Sequence, residues 1–236
     1  MKDVVDLSDG AILVVGASRG VGKAVAEKFA AEGMVCIKAA RSFKNTKLQR
    51  VATCYTIRLD VTNEESVKSM FEAISAEGVT LKAIIFSAGV GHFGPFESLT
   101  QEQWKECIDI NLTGGFNVLH AGYAFFLDKK VSGKLVVIGS VADHMVLSGN
   151  AAYAASKFGL RGLTSIIHEE GRAHNVTATL VSLGATYTDI WRSRPEFSEA
   201  DMLSPSEVAL TIFSLVNLPS KVTVSNIIVT PPKGIL

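Results

Sequence analysis

The amino-acid sequence predicts an α/β fold: one domain over residues 1–236, with a doubly wound parallel sheet of seven strands and helices on both faces. Short apolar runs rich in β-branched residues alternate with longer segments of helical periodicity, which is typical of parallel strands joined by helices. Right-handed crossovers between such strands place helices on both sides of the sheet. No repeat, low-complexity segment or change of composition marks a linker, so we predict a single domain.

The individual elements follow from this alternation. The predicted strands are the apolar segments 11–16, 34–40, 54–59, 82–87, 134–139, 176–182 and 224–230. Helical periodicity covers the intervening segments 20–32, 63–76, 100–128, 151–173 and 204–217. Residues that favour helix N-termini precede three of these helices: Thr62 or Asn63, Thr100, and Ser204 followed by Pro205.

The composition fits a globular protein and predicts neither a nucleic-acid partner nor a metal site. Hydrophobic residues make up 47% of the chain, and the 23 basic side chains balance the 23 acidic ones. A chain without net charge lacks the basic surface that nucleic acid requires, so we expect no nucleic-acid partner. Cys36, Cys54 and Cys107 show no CxxC spacing, so we predict neither a disulfide framework nor a metal site.

The location of the protein is predicted from the apolar segments. The N-terminal sequence lacks the apolar core of a signal peptide. Uninterrupted apolar runs stay short of the ~18 residues that a membrane helix needs. We therefore expect a cytoplasmic protein that does not cross a membrane.

The first predicted strand runs directly into a glycine-rich turn that opens the first helix. Its residues are Gly16, Ala17, Ser18, Arg19, Gly20, Val21 and Gly22. Glycines allow a tight turn here and let a pyrophosphate approach bare backbone N–H groups at the helix N-terminus. A lone glycine cluster is weak evidence, but its position between the first strand and the first helix predicts phosphate binding.

The end of the second predicted strand distinguishes the two nicotinamide cofactors. An NAD-binding strand carries an acidic residue there, which binds the ribose 2′-hydroxyl. Residues 34–42 contain no Asp or Glu, and Arg41 and Ser42 stand where a 2′-phosphate would lie. Arg19 can converge on the same phosphate, which a guanidinium binds in bidentate fashion. The sequence therefore favours NADP(H) over NAD(H).

A tyrosine and a lysine four residues apart provide a candidate proton-transfer pair. Tyr153 and Lys157 lie at the start of a predicted helix, so both side chains occupy one face. A neighbouring ammonium favours the phenolate, so we expect the pKa of Tyr153 to move from ~10 toward neutral pH. Ser140 follows an apolar strand and can donate a hydrogen bond in the same space. The set suits proton transfer to or from a carbonyl or alcohol oxygen.

These motifs occur in an order that resembles the short-chain dehydrogenase/reductase family, in its single-domain NADP(H)-using subtype with a Rossmann-like fold, over essentially the whole chain. The residues that carry the resemblance are the glycine turn, Asp60 and Val61, Ser87-Ala88-Gly89, Asn111, Ser140, Tyr153 and Lys157. Each piece alone is unspecific, whereas the combination is specific.

The resemblance implies a role for each matching residue. Tyr153 would be the acid/base, Ser140 would polarise the substrate oxygen, and Lys157 would hold the nicotinamide ribose and lower the pKa of the tyrosine. Asn111 would hold a water of the proton relay. The remaining cofactor contacts would come from Asp60 and Val61 at the adenine, from Ser87, Ala88 and Gly89 at the ribose, and from Gly184 and Thr188 near the nicotinamide.

Three positions depart from the family pattern. Val15 stands where a threonine usually precedes the glycine turn, Ser87 replaces an asparagine, and Leu183 replaces a proline before Gly184. These departures support an alternative hypothesis, a non-catalytic dinucleotide-binding sensor or scaffold. Retention of both Tyr153 and Lys157 favours an enzyme.

The leading hypothesis is therefore an NADP-dependent oxidoreductase that reduces a ketone or aldehyde to an alcohol, or catalyses the reverse. A 3-oxoacyl-thioester reductase is not distinguished from it. The family's substrate walls fall at 90–96, 141–147 and 185–202, the last including Trp191, Arg192 and Arg194. Their apolar and aromatic residues suit a partly apolar small molecule. The long apolar helices at 100–128 and 151–173 predict a homodimer or homotetramer.

Overall fold

Eight strands form the central sheet of the computed structural model, which describes residues 10–51, 54–189 and 198–233. The strands are β1 (Ala11–Val15), β2 (Cys36–Ala40), β3 (Gln49–Val51), β4 (Cys54–Arg58), β5 (Leu81–Phe86), β6 (Gly133–Ile138), β7 (Val176–Leu183) and β8 (Asn226–Val229). Their order across the sheet is β3-β4-β2-β1-β5-β6-β7-β8. All neighbours pair in parallel except β3, which is antiparallel to β4. The doubly wound α/β fold is confirmed.

The predicted number of seven strands was wrong by one, because β3 was missed. This strand is only three residues long, and all three of them are exposed. It pairs Gln49 with Thr56 and Val51 with Cys54 at the edge of the sheet. Neither alternation nor an apolar run marks so short a segment, so the sequence pattern could not reveal it.

In the part of the chain that the structure describes, six α-helices cover the sheet, close to the predicted positions. They are α1 (Gly20–Ala31), α2 (Glu64–Ala76), α3 (Gln101–Cys107), α4 (Gly114–Lys129), α5 (Ala151–Gly171) and α6 (Pro205–Val216). The predicted N-terminal residues act as caps: the Asn63 side chain accepts from Ser66 N, while Thr100 and Ser204 each form a capping box. Among the described residues, no helix combines the length and the apolar character needed to cross a membrane.

The predicted helix at 100–128 is interrupted by one π-helical turn. Residues Ile108–Thr113 form this turn between α3 and α4. Gly114 follows it and lies against Val61, since a Cβ on this glycine would come within 2.6 Å of the valine side chain. Such π turns are frequent at functional sites because they displace a side chain from the regular helical position. Here the displaced segment carries Asn111.

Two apolar clusters fill the space between the sheet and the helices. Along β1, Leu13 and Val15 belong to the cluster under α2, α4 and α5, while Ile12 and Val14 belong to the cluster under α1 and α6. All four side chains are fully buried. A strand that is buried on both faces has a continuous apolar sequence, and the sequence of β1 shows this pattern.

The strand order reverses beside β1, which has β2 on one side and β5 on the other. Crossovers from the two strands run in opposite directions, which opens a crevice at their carboxyl ends. Ligands of open α/β sheets bind at this position.

Candidate active site

A cavity of about 1240 Å³ occupies this crevice. Its walls begin where the strands end, with Gly16 after β1, Arg41 after β2, Ser87 after β5, Ser140 after β6 and Gly184 after β7. The turns that follow parallel strands therefore converge on one space.

Nearly all residues singled out from the sequence line this cavity. They are Gly16, Ser18, Arg19, Gly20, Val21, Arg41, Ser42, Asp60, Val61, Ser87, Ala88, Gly89, Ser140, Tyr153, Lys157, Gly184 and Thr188. Gly22 and Asn111 do not line it, and both lie just behind its wall. The predicted substrate segment at 190–197, with Trp191, Arg192 and Arg194, lies outside the described residues.

The glycine turn packs so closely that side chains are excluded from it. Gly16 has φ +84°, and a Cβ there would lie 2.6 Å from the backbone nitrogen of Ala88. A Cβ on Gly22 would lie 2.4 Å from the Gly16 carbonyl oxygen. The N-cap of α1, Arg19, makes no side-chain cap bond, so the first N–H groups of the helix are left for a ligand. This cradle fits the pyrophosphate of a dinucleotide.

Backbone hydrogen bonds hold the turns where the sequence departs from the family pattern. Ser87 N donates to the Val15 carbonyl at 2.9 Å, which joins the ends of β1 and β5. Gly184 N donates to the Val229 carbonyl at 2.8 Å and so attaches the turn after β7 to β8. The turns around the cradle therefore keep their backbone hydrogen bonds despite the side-chain changes at Val15, Ser87 and Leu183.

The end of β2 presents an open cationic surface. Arg41 and Ser42 are exposed at the cavity, and Arg41 makes no hydrogen bond or ion pair with any residue that the structure describes. Arg19 was expected to converge with Arg41, but its Nη1 instead lies 3.3 Å from Asp189 Oδ2 across the crevice. Arg41 and Ser42 thus remain the groups placed to contact a phosphate at this end.

Ser140, Tyr153 and Lys157 come together at the opposite end. The Ser140 side chain faces the Tyr153 hydroxyl and acts to lower the pKa of that hydroxyl. Lys157 Nζ lies 5.5 Å from the centre of the Tyr153 ring and donates a 2.9 Å hydrogen bond to the Ile138 carbonyl. Because that carbonyl ends β6, the lysine is held at the sheet edge rather than directed at the phenol oxygen.

The pKa of Tyr153 was expected to fall, and this expectation was wrong. Burial of the hydroxyl raises its pKa to about 12, and the Ser140 side chain offsets this only in part. Burial also lowers the pKa of Lys157 to about 8, although the negative charge of Asp143 opposes that shift. At neutral pH Tyr153 is therefore a protonated donor, and most Lys157 side chains are charged.

Asn111 is fully buried and braces the loop after β5. Its Oδ1 accepts from Val90 N at 2.8 Å, and its Nδ2 donates to the Val90 carbonyl and to Ser156 Oγ, both at 2.9 Å. The loop and α5 are thereby joined through one amide. A role in holding a relay water stays a prediction.

The substrate side of the cavity has aromatic, apolar and polar parts. The ring of Phe93 packs edge-on against Tyr153, with centroids 5.6 Å apart. His92 Nε2 lies 2.7 Å from Glu106 Oε2, and both residues line the cavity. Val146 on the opposite wall is 95% exposed. The arrangement accommodates a partly apolar molecule next to the tyrosine hydroxyl.

Sequence reasoning missed one buried charged residue, Asp143. It follows Ser140 by three positions and is fully buried behind the cavity wall. In the sequence Asp143 stands between Ala142 and His144, and an aspartate in such a segment normally indicates a solvent-exposed turn. Its partners come from distant segments, so local sequence contained no signal for its burial.

Comparison with known proteins assigns the chain to a family. Residues 10–199 match a family model described as short chain dehydrogenase. The chain belongs to the short-chain dehydrogenase/reductase family. It is accordingly an oxidoreductase that acts on carbonyl or alcohol groups and uses a nicotinamide cofactor, which the cradle fits.

Relatives within this family include reductases. The chain is 28% identical over 236 residues to sepiapterin reductase of Chlorobaculum tepidum, covering 94% of this chain and 96% of that protein. It is 32% identical over 195 residues to the 3-oxoacyl-acyl-carrier-protein reductase of Escherichia coli, covering 81% and 80%. The closed form of serine dehydrogenase with NADP⁺ matches with a TM-score of 0.85 at 20% identity, covering 96% of each chain, and shows the fold alone.

Proposed function

We propose that the protein is an NADPH-dependent reductase that converts a ketone or aldehyde to an alcohol, with Tyr153 as the proton donor. The observation that carries this proposal is the placement of Ser140 and Tyr153 on one wall of the cavity, with the Lys157 ammonium beside the tyrosine ring, at the end of a dinucleotide cradle. A scaffold protein that only binds nucleotide has no need of this arrangement.

The proposed mechanism divides the chemistry between cofactor and protein. When bound, the reduced nicotinamide supplies the hydride that adds to the carbonyl carbon. The Ser140 hydroxyl donates a hydrogen bond to the carbonyl oxygen, on which negative charge develops. Tyr153 then transfers its proton to that oxygen, and the nearby Lys157 charge stabilises the phenolate left behind.

The protonation states favour reduction. With a pKa of about 12, Tyr153 carries the proton that an alkoxide needs, whereas oxidation requires the phenolate. With a pKa of about 8, Lys157 is charged at neutral pH and is available to stabilise the product phenolate. The site is therefore set for proton donation.

The preference for NADPH rests on the end of β2. Arg41 and Ser42 offer a guanidinium and a hydroxyl at the cavity, and the strand ends without a carboxylate that would repel a phosphate.

The substrate we propose is a medium-sized, partly apolar carbonyl compound. Phe93 and Leu147 supply apolar wall near Tyr153, while His92 and Glu106 supply polar groups. The relatives suggest two candidates for testing, sepiapterin and a 3-oxoacyl thioester.

We also propose that the protein is a cytoplasmic homodimer or homotetramer that associates through α4 and α5. Phe116, Phe158 and Ile166 on these helices are 48%, 46% and 57% exposed. Exposed large apolar side chains grouped on two neighbouring helices favour burial in a self-interface.

Replacing Tyr153 by Phe tests the assignment of the proton donor. The change removes the hydroxyl and keeps the ring that contacts Phe93, so NADPH binding should be retained. We expect kcat for reduction of a responsive carbonyl compound to fall ~10²-fold to 10⁴-fold, the usual contribution of a general acid. Turnover is followed by the loss of nicotinamide absorbance across a carbonyl panel that contains both candidates.

Tyr123→Phe is the matched control, because this tyrosine lies on α4 with its ring against His174 and does not line the cavity. It should leave kcat unchanged. Near-native turnover by the Tyr153 variant would falsify the proton-donor role, and NADPH binding without turnover of any carbonyl by the native protein would favour the scaffold hypothesis.

A further inference from the structure

Asp143 is a buried carboxylate at the centre of a hydrogen-bond network behind the active site. It ends the short 3₁₀ turn Val141–Asp143, directly after Ser140, and is fully buried. Its Oδ2 accepts from Ser182 Oγ at 2.5 Å and from Ser140 N at 3.3 Å. Its Oδ1 accepts from Arg161 Nη1 at 2.9 Å and from His144 Nδ1 at 2.6 Å.

The surroundings are shaped to admit this carboxylate. A Cβ on Gly139 would lie 2.6 Å from Asp143 Oδ2, so only glycine fits at the end of β6. Burying a carboxylate is costly unless it is both hydrogen-bonded and paired with a cation. Asp143 has four donors, one of them a guanidinium, and this complete set indicates a specific role rather than incidental burial.

The network joins the Ser140 turn and α5, which carry Ser140, Tyr153 and Lys157, to strand β7. The Ser140 backbone N–H donates to the carboxylate, so Asp143 fixes the backbone that positions the Ser140 hydroxyl at the cavity. Arg161 lies on α5 one helical turn beyond Lys157, and its ion pair attaches this helix to the Ser140 turn. Ser182 adds β7, just before the Gly184 turn.

The charges around the network act on the same residues. Lys157 and Tyr153 lie near it on α5, Cys107 on α3 lies near these two residues, and Arg161 and His144 contact the carboxylate directly. The Asp143 charge favours the protonated form of both Lys157 and Tyr153, and so raises the pKa of each. It opposes the effect of burial on the lysine.

We propose that Asp143 is a positioning residue of the reductase: its carboxylate holds the Ser140 turn against α5, the helix that carries Tyr153 and Lys157. The inference rests on the proposed roles of Ser140, Tyr153 and Lys157. Asp143 does not line the cavity, so it acts through these residues and not on the substrate.

Asp143→Asn removes the charge and nearly preserves the shape. We expect kcat to fall ~10-fold to 100-fold, since small misplacements of catalytic groups have effects of this size, with the KM for NADPH changed less than about twofold. The Lys157 side chain is titrated separately by NMR on ¹³C-lysine-labelled protein without cofactor, with its signal assigned by Lys157→Arg. Its pKa should move below the native value of about 8.

Arg161→Gln provides the opposing variant. It removes a positive charge from the same carboxylate, so the pKa of Lys157 should move above the native value. A role confined to structural support would not produce shifts of opposite sign in the two variants. Ser182→Ala removes one hydrogen bond and no charge, so it should lower kcat less than Asp143→Asn and leave the lysine titration unchanged.

The outcomes separate this inference from the proposed function. A folded Asp143→Asn protein with native kcat and a native Lys157 titration overturns the inference. An Asp143→Asn protein that does not fold leaves the decision to Arg161→Gln, for which an unchanged or lowered lysine pKa overturns it. Native protein without reductase activity counts against the proposed function alone, because the NMR titrations still test the charge effect of Asp143.

Discussion

The two ends of the crevice are built in opposite ways. At one end Lys157, Asn111 and Asp143 are buried, and each forms hydrogen bonds within the protein next to the partly exposed Tyr153. At the other end Arg41 and Ser42 are exposed, and Arg41 has no partner among the described residues. The first end forms its contacts within the protein, whereas the second presents polar groups to the cavity.

This difference reflects what each end has to do. A proton donor must already be placed and desolvated when the reacting oxygen arrives, because reorganisation during the reaction adds to the barrier. A phosphate contact needs only a mobile cation. An exposed arginine keeps its hydration, so holding it there costs no desolvation free energy. The glycine turn lies between the two ends and determines the distance that a dinucleotide has to span.

Among the changes that act on cofactor binding, Gly16→Ala should have the largest effect, because it distorts the glycine turn between the two ends. The new Cβ would meet the Ala88 backbone at 2.6 Å, in a segment where φ is +84°. Backbone cannot yield as a flexible side chain does, so the turn must shift, and binding of both NADPH and NADH should fall ~100-fold or more, as for a misplaced site. Cofactor binding by fluorescence titration measures the effect.

Gly33→Ala is the matched control for Gly16→Ala. Gly33 has a similar φ of +79°, but a Cβ there meets nothing within 4 Å. It should cost only the left-handed backbone strain of ~1–2 kcal/mol in the free energy of unfolding, with cofactor affinity intact. Equal loss of affinity in both variants would contradict the close-packing explanation.

The next largest effect is the pH dependence of kcat/KM, which we expect Lys157 at the buried end to determine. Lys157 is charged below its pKa of about 8 and loses its proton as the pH rises through that value. We expect kcat/KM for reduction to be level at neutral pH and to fall ~tenfold per unit well above pH 8, as for one essential acid of the free enzyme. Initial rates across a pH series test this.

A Lys157→Arg variant serves as the control for the pH profile, since a guanidinium stays charged throughout the range. Its rate should be lower, but the decline above pH 8 should disappear. If the decline persists in that variant, another group is responsible for it.

The smallest effect is expected at the exposed end. Arg41→Ala should raise the KM for NADPH ~10-fold, consistent with the loss of one charge-assisted hydrogen bond, and leave the KM for NADH unchanged. Because the arginine is exposed, added salt should weaken NADPH binding in the native protein and have less effect in the variant. Arg58→Ala, an exposed arginine at the end of the neighbouring strand β4, is the control. Equal changes for the two cofactors would exclude Arg41 as the 2′-phosphate ligand.

The parts of the structure that depend on periodicity could be predicted from the sequence. The alternation of apolar strands and helices identified β1 through β8 except β3, and the glycine turn could be placed because it joins β1 to α1. The residues of the cavity wall follow, since turns after parallel strands must meet at one edge of the sheet.

Properties that depend on the folded environment could not be predicted. The spacing of Tyr153 and Lys157 placed both on one helix face, but not the Ile138 carbonyl that holds the lysine or the burial that raises the pKa of the phenol. The Arg19–Asp189 pair joins residues 170 positions apart. No local pattern contains that information, because it arises only once the sheet has assembled.

The missed strand β3 has a consequence for how molecules of this protein meet one another. A parallel sheet that ended at β4 would offer a row of unpaired N–H and C=O groups to the strands of a neighbouring molecule. The antiparallel three-residue strand covers that row and exposes Gln49 and Arg50 at its own outer side. So short and polar an edge gives an incoming strand little to pair with, and β3 thus protects the sheet against edge-to-edge aggregation.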